Sequence, residues 1–215
     1  MIAYEDALLL QNRLALARGK GEVEDILLLL QHPPVITVGR SGKLHNVLAP
    51  QTILKEKKIR VIFTDRGGDV TYHGPGQLVA YPIFSLRLFG LSVPDYVWSL
   101  EEVAIHVLAR FGITGQRVEK LRGVWVGKEK ICSLGVHLSR WISKHGLALN
   151  VNTDLDPFSF INPCGITGCR VTSMAKILGR SLPMEEVESL TLEAFREVFG
   201  FFLREEPLAM LEPYR

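Results

Sequence analysis

The chain has 215 residues, 47% hydrophobic and 22% charged, with a formal net charge of +2. That length can bury a sizeable core, and so balanced a charge speaks against a general affinity for nucleic acid or an acidic membrane. Glu5 and Asp6 before the first apolar run argue against a signal peptide, no apolar stretch approaches the ~20 residues of a membrane span, and three cysteines make no disulfide framework, so a cytoplasmic enzyme with free thiols is expected.

Residues 2–18 carry Ala7, Leu8, Leu10, Leu14 and Ala15 at helical spacing, which predicts an amphipathic helix. The apolar run Asp25–Leu30 fits a buried strand, ended by His32-Pro33-Pro34 because proline cannot donate to a ladder. Val35–Val38 is a second strand, closed by Gly39-Arg40. A short helix near 50–57 and a strand over Arg60–Thr64 follow. Residues 66–77 read as a glycine-rich loop leading into a strand-like Leu78–Leu86. A helix is predicted over 94–111, with Pro94 in its first turn and Trp98, Val103, Val107 and Leu108 as its apolar stripe. Val124–Val126 and Lys130–Leu138 suggest a hairpin around Gly127-Lys128-Glu129, and Leu147–Val151 one more strand. Residues 153–170 are rich in Pro, Gly, Asp and Asn and read as a long loop. Pro183 opens a last helix to 199, with Glu185 and Glu186 where acids suit the dipole. The expected fold is α+β, one mixed, largely antiparallel sheet with packed helices. The expected organisation is a single domain over 1–215 that ends in a small helical segment at 181–215.

The segment Arg66-Gly67-Gly68-Asp69-Val70-Thr71-Tyr72-His73-Gly74-Pro75-Gly76-Gln77 combines a bare backbone with polar side chains. Glycines let the backbone approach a ligand and turn N–H groups toward it. The segment matches neither the phosphate loop ending in Gly-Lys-Ser/Thr nor Gly-x-Gly-x-x-Gly. Three cysteines compete for a nucleophilic role. Cys164 lies between Pro163 and Gly165 in the loop, where a substrate would find room. Cys169 adjoins Arg170, and a neighbouring cation favours a thiolate. Cys132 follows Lys130 by two residues, so on a strand both share a face about 7 Å apart. Lys130, at the start of an apolar strand, fits an exposed strand-end lysine as well as a functional one. The spacings Cys132-x4-His137 and Cys164-x4-Cys169 do not suit zinc, and no metal site is expected. A thiolate, a lysine and a bare backbone suit acyl transfer through a thioester.

In order along the chain stand His32-Pro33-Pro34, Gly39-Arg40, Arg66-Gly67-Gly68 through Gly76-Gln77, and Tyr81-Pro82. Lys130-Ile131 with Ser133-Leu134-Gly135-Val136, His145 to Asn150, Pro163-Cys164-Gly165 and Val171-Thr172-Ser173 complete the series. Over about residues 5–200 this resembles the lipoyl(octanoyl) transferases. The resemblance implies the fold of lipoate ligases and of the biotin protein ligase catalytic domain. It implies transfer of an octanoyl group from acyl carrier protein to a lysine of lipoyl domains, those of 2-oxoacid dehydrogenase complexes and the glycine cleavage H protein. It selects Cys164 as nucleophile with Lys130 as its partner. It also makes Arg66, Gly67, Gly68, Asp69, Val70, Thr71, Tyr72, His73, Ser133, Leu134, Gly135, Gly146, Leu147 and Ala148 the acyl-binding walls.

No cofactor is implied, since thiolate and amine attack need neither ATP nor metal. A monomer is the default. An ammonium at Lys130 would favour a thiolate at Cys164. His73 or the backbone N–H groups near Gly165 are candidates to polarise the thioester oxygen. Arg40, Lys43, Arg122, Lys128, Arg140, Lys144 and Arg170 would form a basic rim for acidic partners, or else are ordinary solvated charge. The competing functions are an ATP-dependent lipoate or biotin ligase, a non-catalytic acyl-binding protein, and a cysteine thioesterase with His73 or His145 as base.

Overall fold

The computed structural model describes residues 1–214. Its elements are helix α1 (Tyr4–Lys20), strands β1 (Ile26–Leu30) and β2 (Val35–Val38), helix α2 (Gln51–Glu56), and strands β3 (Arg60–Phe63), β4 (Val70–His73) and β5 (Gln77–Ile83). Helices α3 (Leu86–Phe89) and α4 (Val93–Arg110) follow, then strands β6 (Gln116–Val118), β7 (Leu121–Val126), β8 (Glu129–Ser139), β9 (Ile142–Asn150) and β10 (Arg170–Val171). Helices α5 (Met174–Leu178) and α6 (Met184–Phe199) close the order.

The α+β class holds, but there are two sheets where one was expected. The larger runs β1-β5-β9-β8-β7-β6, with β10 against β8; the smaller runs β3-β2-β4. Pairing is antiparallel except for β2 with β3 and β8 with β10. The prolines between β1 and β2 break the ladder, and the chain crosses to the second sheet there. The strand that completes that sheet, β4, lies inside the segment expected to be a loop. Val70-Thr71-Tyr72-His73 has the β-branched and aromatic content of a strand, masked in the sequence by the glycines on both sides.

Strand β5 is buried along its whole length because both of its faces are covered. Leu78 and Ala80 join Leu100, Val103 and Val107 of α4. Val79, Tyr81 and Ile83 join Ala7, Leu10 and Leu14 of α1. Each leucine-sized side chain so buried contributes roughly 1.5–3 kcal/mol. Helix α6 packs on α4 and adds Val187, Ala194 and Phe195 to the same core. Among the described residues no helix is long and apolar enough to cross a membrane.

Two further expectations change. Trp98 is not part of the apolar stripe of α4: it is 51% exposed, with the Arg117 guanidinium 4.0 Å from its ring centroid. Strand β9 starts at Ile142, five residues before the expected Leu147. Its ladder with β8 runs from Cys132↔Leu149 to Ser139↔Ile142. Arg140 and Trp141 turn the hairpin at φ 51° and 71° without a glycine, and the buried polar run Ser143-Lys144-His145 hides the strand's beginning.

Candidate active site

Strand β9 pairs with β8 only from Cys132 onward, and β10 takes its place beside residues 129 and 130. Lys130 thus sits between Val171 of β10 and Trp125 of β7. It is 1% exposed, not the strand-end surface lysine that the sequence equally allowed. Room for its side chain comes from Gly123, at φ +112°, where a β-carbon would stand 2.6 Å from the lysine Cε. The Nζ of Lys130 donates to the carbonyl of Arg122 at 2.8 Å and to Sγ of Cys164 at 2.9 Å.

Cys164 occupies a short 3-10 turn, Pro163–Gly165, with φ +57°. The left-handed conformation costs a residue with a β-carbon roughly 1–2 kcal/mol. The other two thiols are placed differently. Cys132 is fully buried in the core, and burial pushes its thiol up to about 12. Cys169 is half-buried, and burial raises it too, against the effect expected from Arg170. Of the three thiols, Cys164 is the one that Lys130 Nζ meets at hydrogen-bond distance.

Beside Cys164 a cavity of about 30 Å³ opens toward the glycine-rich segment. That is room for about one water. Arg66, Gly68, Asp69, Val70, Thr71 and His73 line it on one side. Ser133, Leu134 and Gly135 of β8 and Gly146, Leu147 and Ala148 of β9 form the opposite wall. Gly67 and Tyr72 do not line it. Gly67 N donates to Val136 O at 2.8 Å, which ties the segment to β8, and Tyr72 faces away onto Phe158 at 5.4 Å. Three further residues reach the cavity: Tyr4, Tyr81 and His145. Nothing in the sequence marks Tyr4, since α1 is far from the motifs in the chain; Tyr81 and His145 stood within motifs, His145 as the base of the competing thioesterase.

The cavity has a charged and polar lining. Arg66 is 6% exposed and forms no ion pair among the described residues. It donates to Thr37 Oγ1, Thr37 O, Gly67 O and Asp69 O at 2.7–3.1 Å, and burial lowers its proton affinity. Gly39, where a β-carbon would meet Arg66 Nη1 at 2.8 Å, leaves space for this fork. Burial also pushes His73 well below its ordinary value, so the ring is neutral. Gln77 Nε2 donates to Tyr72 O and Asn150 Oδ1, so Gln77 Oε1 accepts from His73 Nδ1 at 2.7 Å. The Nδ1 proton of His73 is thereby committed to Gln77. The N–H groups of Gly165 and Ile166 are committed as well, to Asn162 O and Pro163 O.

Asp65 gathers Lys144 and His145, each donating at 2.7 Å. The His145 bond first, and Lys144 next, hold its carboxyl well below the usual range. Lys144 is 7% exposed and leaves the expected basic rim. Arg140 is exposed in the turn between β8 and β9. Arg40, Lys43, Arg122, Lys128 and Arg170 are exposed and stand on segments adjoining the site. Among the described residues no group of three or more His, Cys, Asp or Glu side chains is arranged to hold a metal ion.

Residues 3–196 match the model of the lipoyl protein ligase A/B catalytic domain. The chain belongs to that family. It is 50% identical over 202 residues to the octanoyltransferase of Caldicellulosiruptor saccharolyticus, covering 93% of this chain and 86% of the relative. It is 51% identical over 200 residues to that of Solibacter usitatus, covering 93% and 90%. Among solved structures, a bipartite lipoate protein ligase from Thermoplasma acidophilum superposes with a TM-score of 0.76 at 18% identity, covering 96% of this chain and 83% of the other. The biotin protein ligase of Aquifex aeolicus reaches 0.53 at 18%, covering 76% and 70%. These likenesses establish the fold expected from the motifs.

Proposed function

We propose that this chain, acting as one catalytic domain over 1–215, transfers an octanoyl group from octanoyl-acyl carrier protein to a lysine of a lipoyl domain through a thioester on Cys164. The acceptors are lipoyl domains of 2-oxoacid dehydrogenase complexes and of the glycine cleavage H protein, met as monomer in the cytoplasm. The observation that carries this reading is the 2.9 Å contact between Lys130 Nζ and Cys164 Sγ at the edge of a cavity. Octanoyltransferases at about half identity support the acyl group.

The steps balance without an added cofactor. The thiolate of Cys164 attacks the thioester carbon; the carrier's sulfur leaves and takes a proton from the Lys130 ammonium. The acyl-enzyme then faces a neutral Lys130 amine. The lipoyl-domain lysine attacks, the amide C–N bond forms, and Cys164 leaves as thiolate while Lys130 accepts the amine proton. Two of the three ammonium protons have partners among the described residues, Arg122 O and Cys164 Sγ. The third is available to the thioester oxygen. The sulfur's polar partner is a lysine and not a histidine, which disfavours a thioesterase.

The acyl chain would enter the cavity between residues 66–73 and strands β8 and β9. Burying its methylenes returns about 0.8 kcal/mol each. The test is intact-protein mass after incubation with octanoyl-acyl carrier protein, without ATP. A hydroxylamine-labile octanoyl adduct that survives in Cys132→Ser and Cys169→Ser but not in Cys164→Ser is the expected result. Transfer without any adduct would overturn the thioester route.

A further inference from the structure

The turn that carries Cys164 hangs from Asn162. Gly165 N donates to Asn162 O at 2.9 Å, and Ile166 N to Pro163 O at 3.0 Å. Asn162 in turn is anchored to a residue that no motif includes. Asn46, 6% exposed at the end of the 3-10 segment Leu44–Asn46, accepts from Asn162 N through its backbone carbonyl at 2.8 Å. Its Oδ1 accepts from Asn162 Nδ2 at 3.3 Å. Its Nδ2 donates to Asp69 Oδ2 at 2.8 Å, and the other Asp69 oxygen accepts from Lys43 N at 3.2 Å. A carboxylate only accepts, which fixes the orientation of the amide. The next contacts reinforce the seam: Val47 and Ile161 form an antiparallel bridge, and Leu48 N donates to Phe160 O at 2.8 Å.

We propose that Asn46 is a positioning residue whose side-chain amide ties the glycine-rich segment to the Cys164 turn and so holds the sulfur against Lys130. The turn needs such a hold. Cys164 and Gly165 are both left-handed, at φ +57° and +71°, and a β-carbon costs energy in that conformation. Gly165 also passes close to the same carboxylate, leaving no room for a side chain: a β-carbon there would stand 2.6 Å from Asp69 Oδ2. Asp69 is itself fixed to β2: its carbonyl accepts from Gly39 N at 3.0 Å and from Arg66 Nη2 at 2.8 Å. The line from β2 through Asp69, Asn46 and Asn162 therefore ends at the sulfur. The inference rests on Cys164 being the nucleophile.

The hydrogen bonds allow a reversal. Asn46→Asp alone sets two carboxylates against each other. Asp69→Asn alone sets two amide groups against each other, or flips and deprives Lys43 N of its acceptor. The double variant Asn46→Asp/Asp69→Asn restores every bond with donor and acceptor exchanged, including the acceptor for Asn162 Nδ2. The rates of Cys164 alkylation by iodoacetamide and of thioester formation are read together, with Cys169 alkylation as internal control. Each single variant is expected to slow Cys164 at least about tenfold and the double variant to recover to within about threefold, as a coupled pair should. Single variants at the wild-type rate, a double variant as slow as the singles, or equal acceleration of both thiols would overturn the proposal. Asn46→Ala decides if the double variant does not fold: slowed Cys164 with unchanged Cys169 supports the role, and unchanged Cys164 removes it. If wild type alkylates at Cys164 but forms no thioester, the nucleophile reading fails, and the alkylation series still settles the positioning.

Discussion

The Nζ of Lys130 donates to the Sγ of Cys164 at 2.9 Å, across 34 residues of chain. A thiolate, not a thiol, is the nucleophile, and an ammonium at hydrogen-bond distance favours the charged sulfur. Replacing the lysine by a methionine of similar length removes the cation and leaves the volume. Lys130→Met is expected to slow iodoacetamide alkylation of Cys164 at neutral pH at least about tenfold, with Cys169 unaffected. An unchanged rate would mean that the lysine does not support the thiolate.

Gly123 makes the buried lysine possible. A β-carbon there would lie 2.4 Å from Cys132 O and 2.6 Å from Lys130 Cε, at a φ of +112° that L side chains rarely adopt. Gly123→Ala is expected to cost at least about 2 kcal/mol of stability through backbone strain and collision. It should also displace the lysine, so thioester formation falls with the melting temperature. A variant that melts like wild type would show that the strand absorbs the clash.

Much of this was legible in the residues, for reasons that differ by element. The long helices α1, α4 and α6 announce themselves by periodicity, and Pro94 and Pro183 mark the starts of two of them. Cys164 and Lys130 were within reach as candidates, but spacing alone left Cys132 and Cys169 beside them. What separates the three thiols is burial and the substitution of β10 for β9 along β8, and both are tertiary. Strand β4 stayed hidden because four residues between glycines look like a loop until β2 pairs with them. Lys144 looked like surface charge because its partner Asp65 is 79 residues away in the chain. Asn46 had no signal at all, since an asparagine in a polar stretch is ordinary until Asp69 and Asn162 converge on it.

Arg66 is a second cation whose role depends on geometry. Its fork reaches Thr37 through both Oγ1 and the backbone carbonyl, and it also takes Gly67 O and Asp69 O. A lysine keeps the charge but offers one compact ammonium in place of the planar fork. Arg66→Lys is expected to cost about 2–4 kcal/mol as buried acceptors lose their donors. Hydrogen exchange should rise first at Gly67 and Gly68. Wild-type stability with wild-type exchange would show that the charge alone suffices.

The histidines beneath the cavity give the protein a defined acid limit. His32 Nδ1 donates to Ile2 O at 2.9 Å, and its other nitrogen accepts from Tyr81 OH at 2.8 Å. Burial pushes the ring down from 6.5 to about 4. The unfolded chain therefore binds a proton at this residue over a range where the folded one does not, and stability rises with pH there. The contribution is complete above 6.5 and is lost as pH falls toward about 4, a difference of roughly 3 kcal/mol for this group. His73, also held neutral by burial, acts in the same direction. His32→Gln removes one titration and retains a donor and an acceptor. Chemical denaturation of both proteins between pH 7 and 4 should show the wild type losing more stability than the variant, the gap opening below 6.5. Parallel curves would mean that His32 takes up its proton in the folded state without penalty.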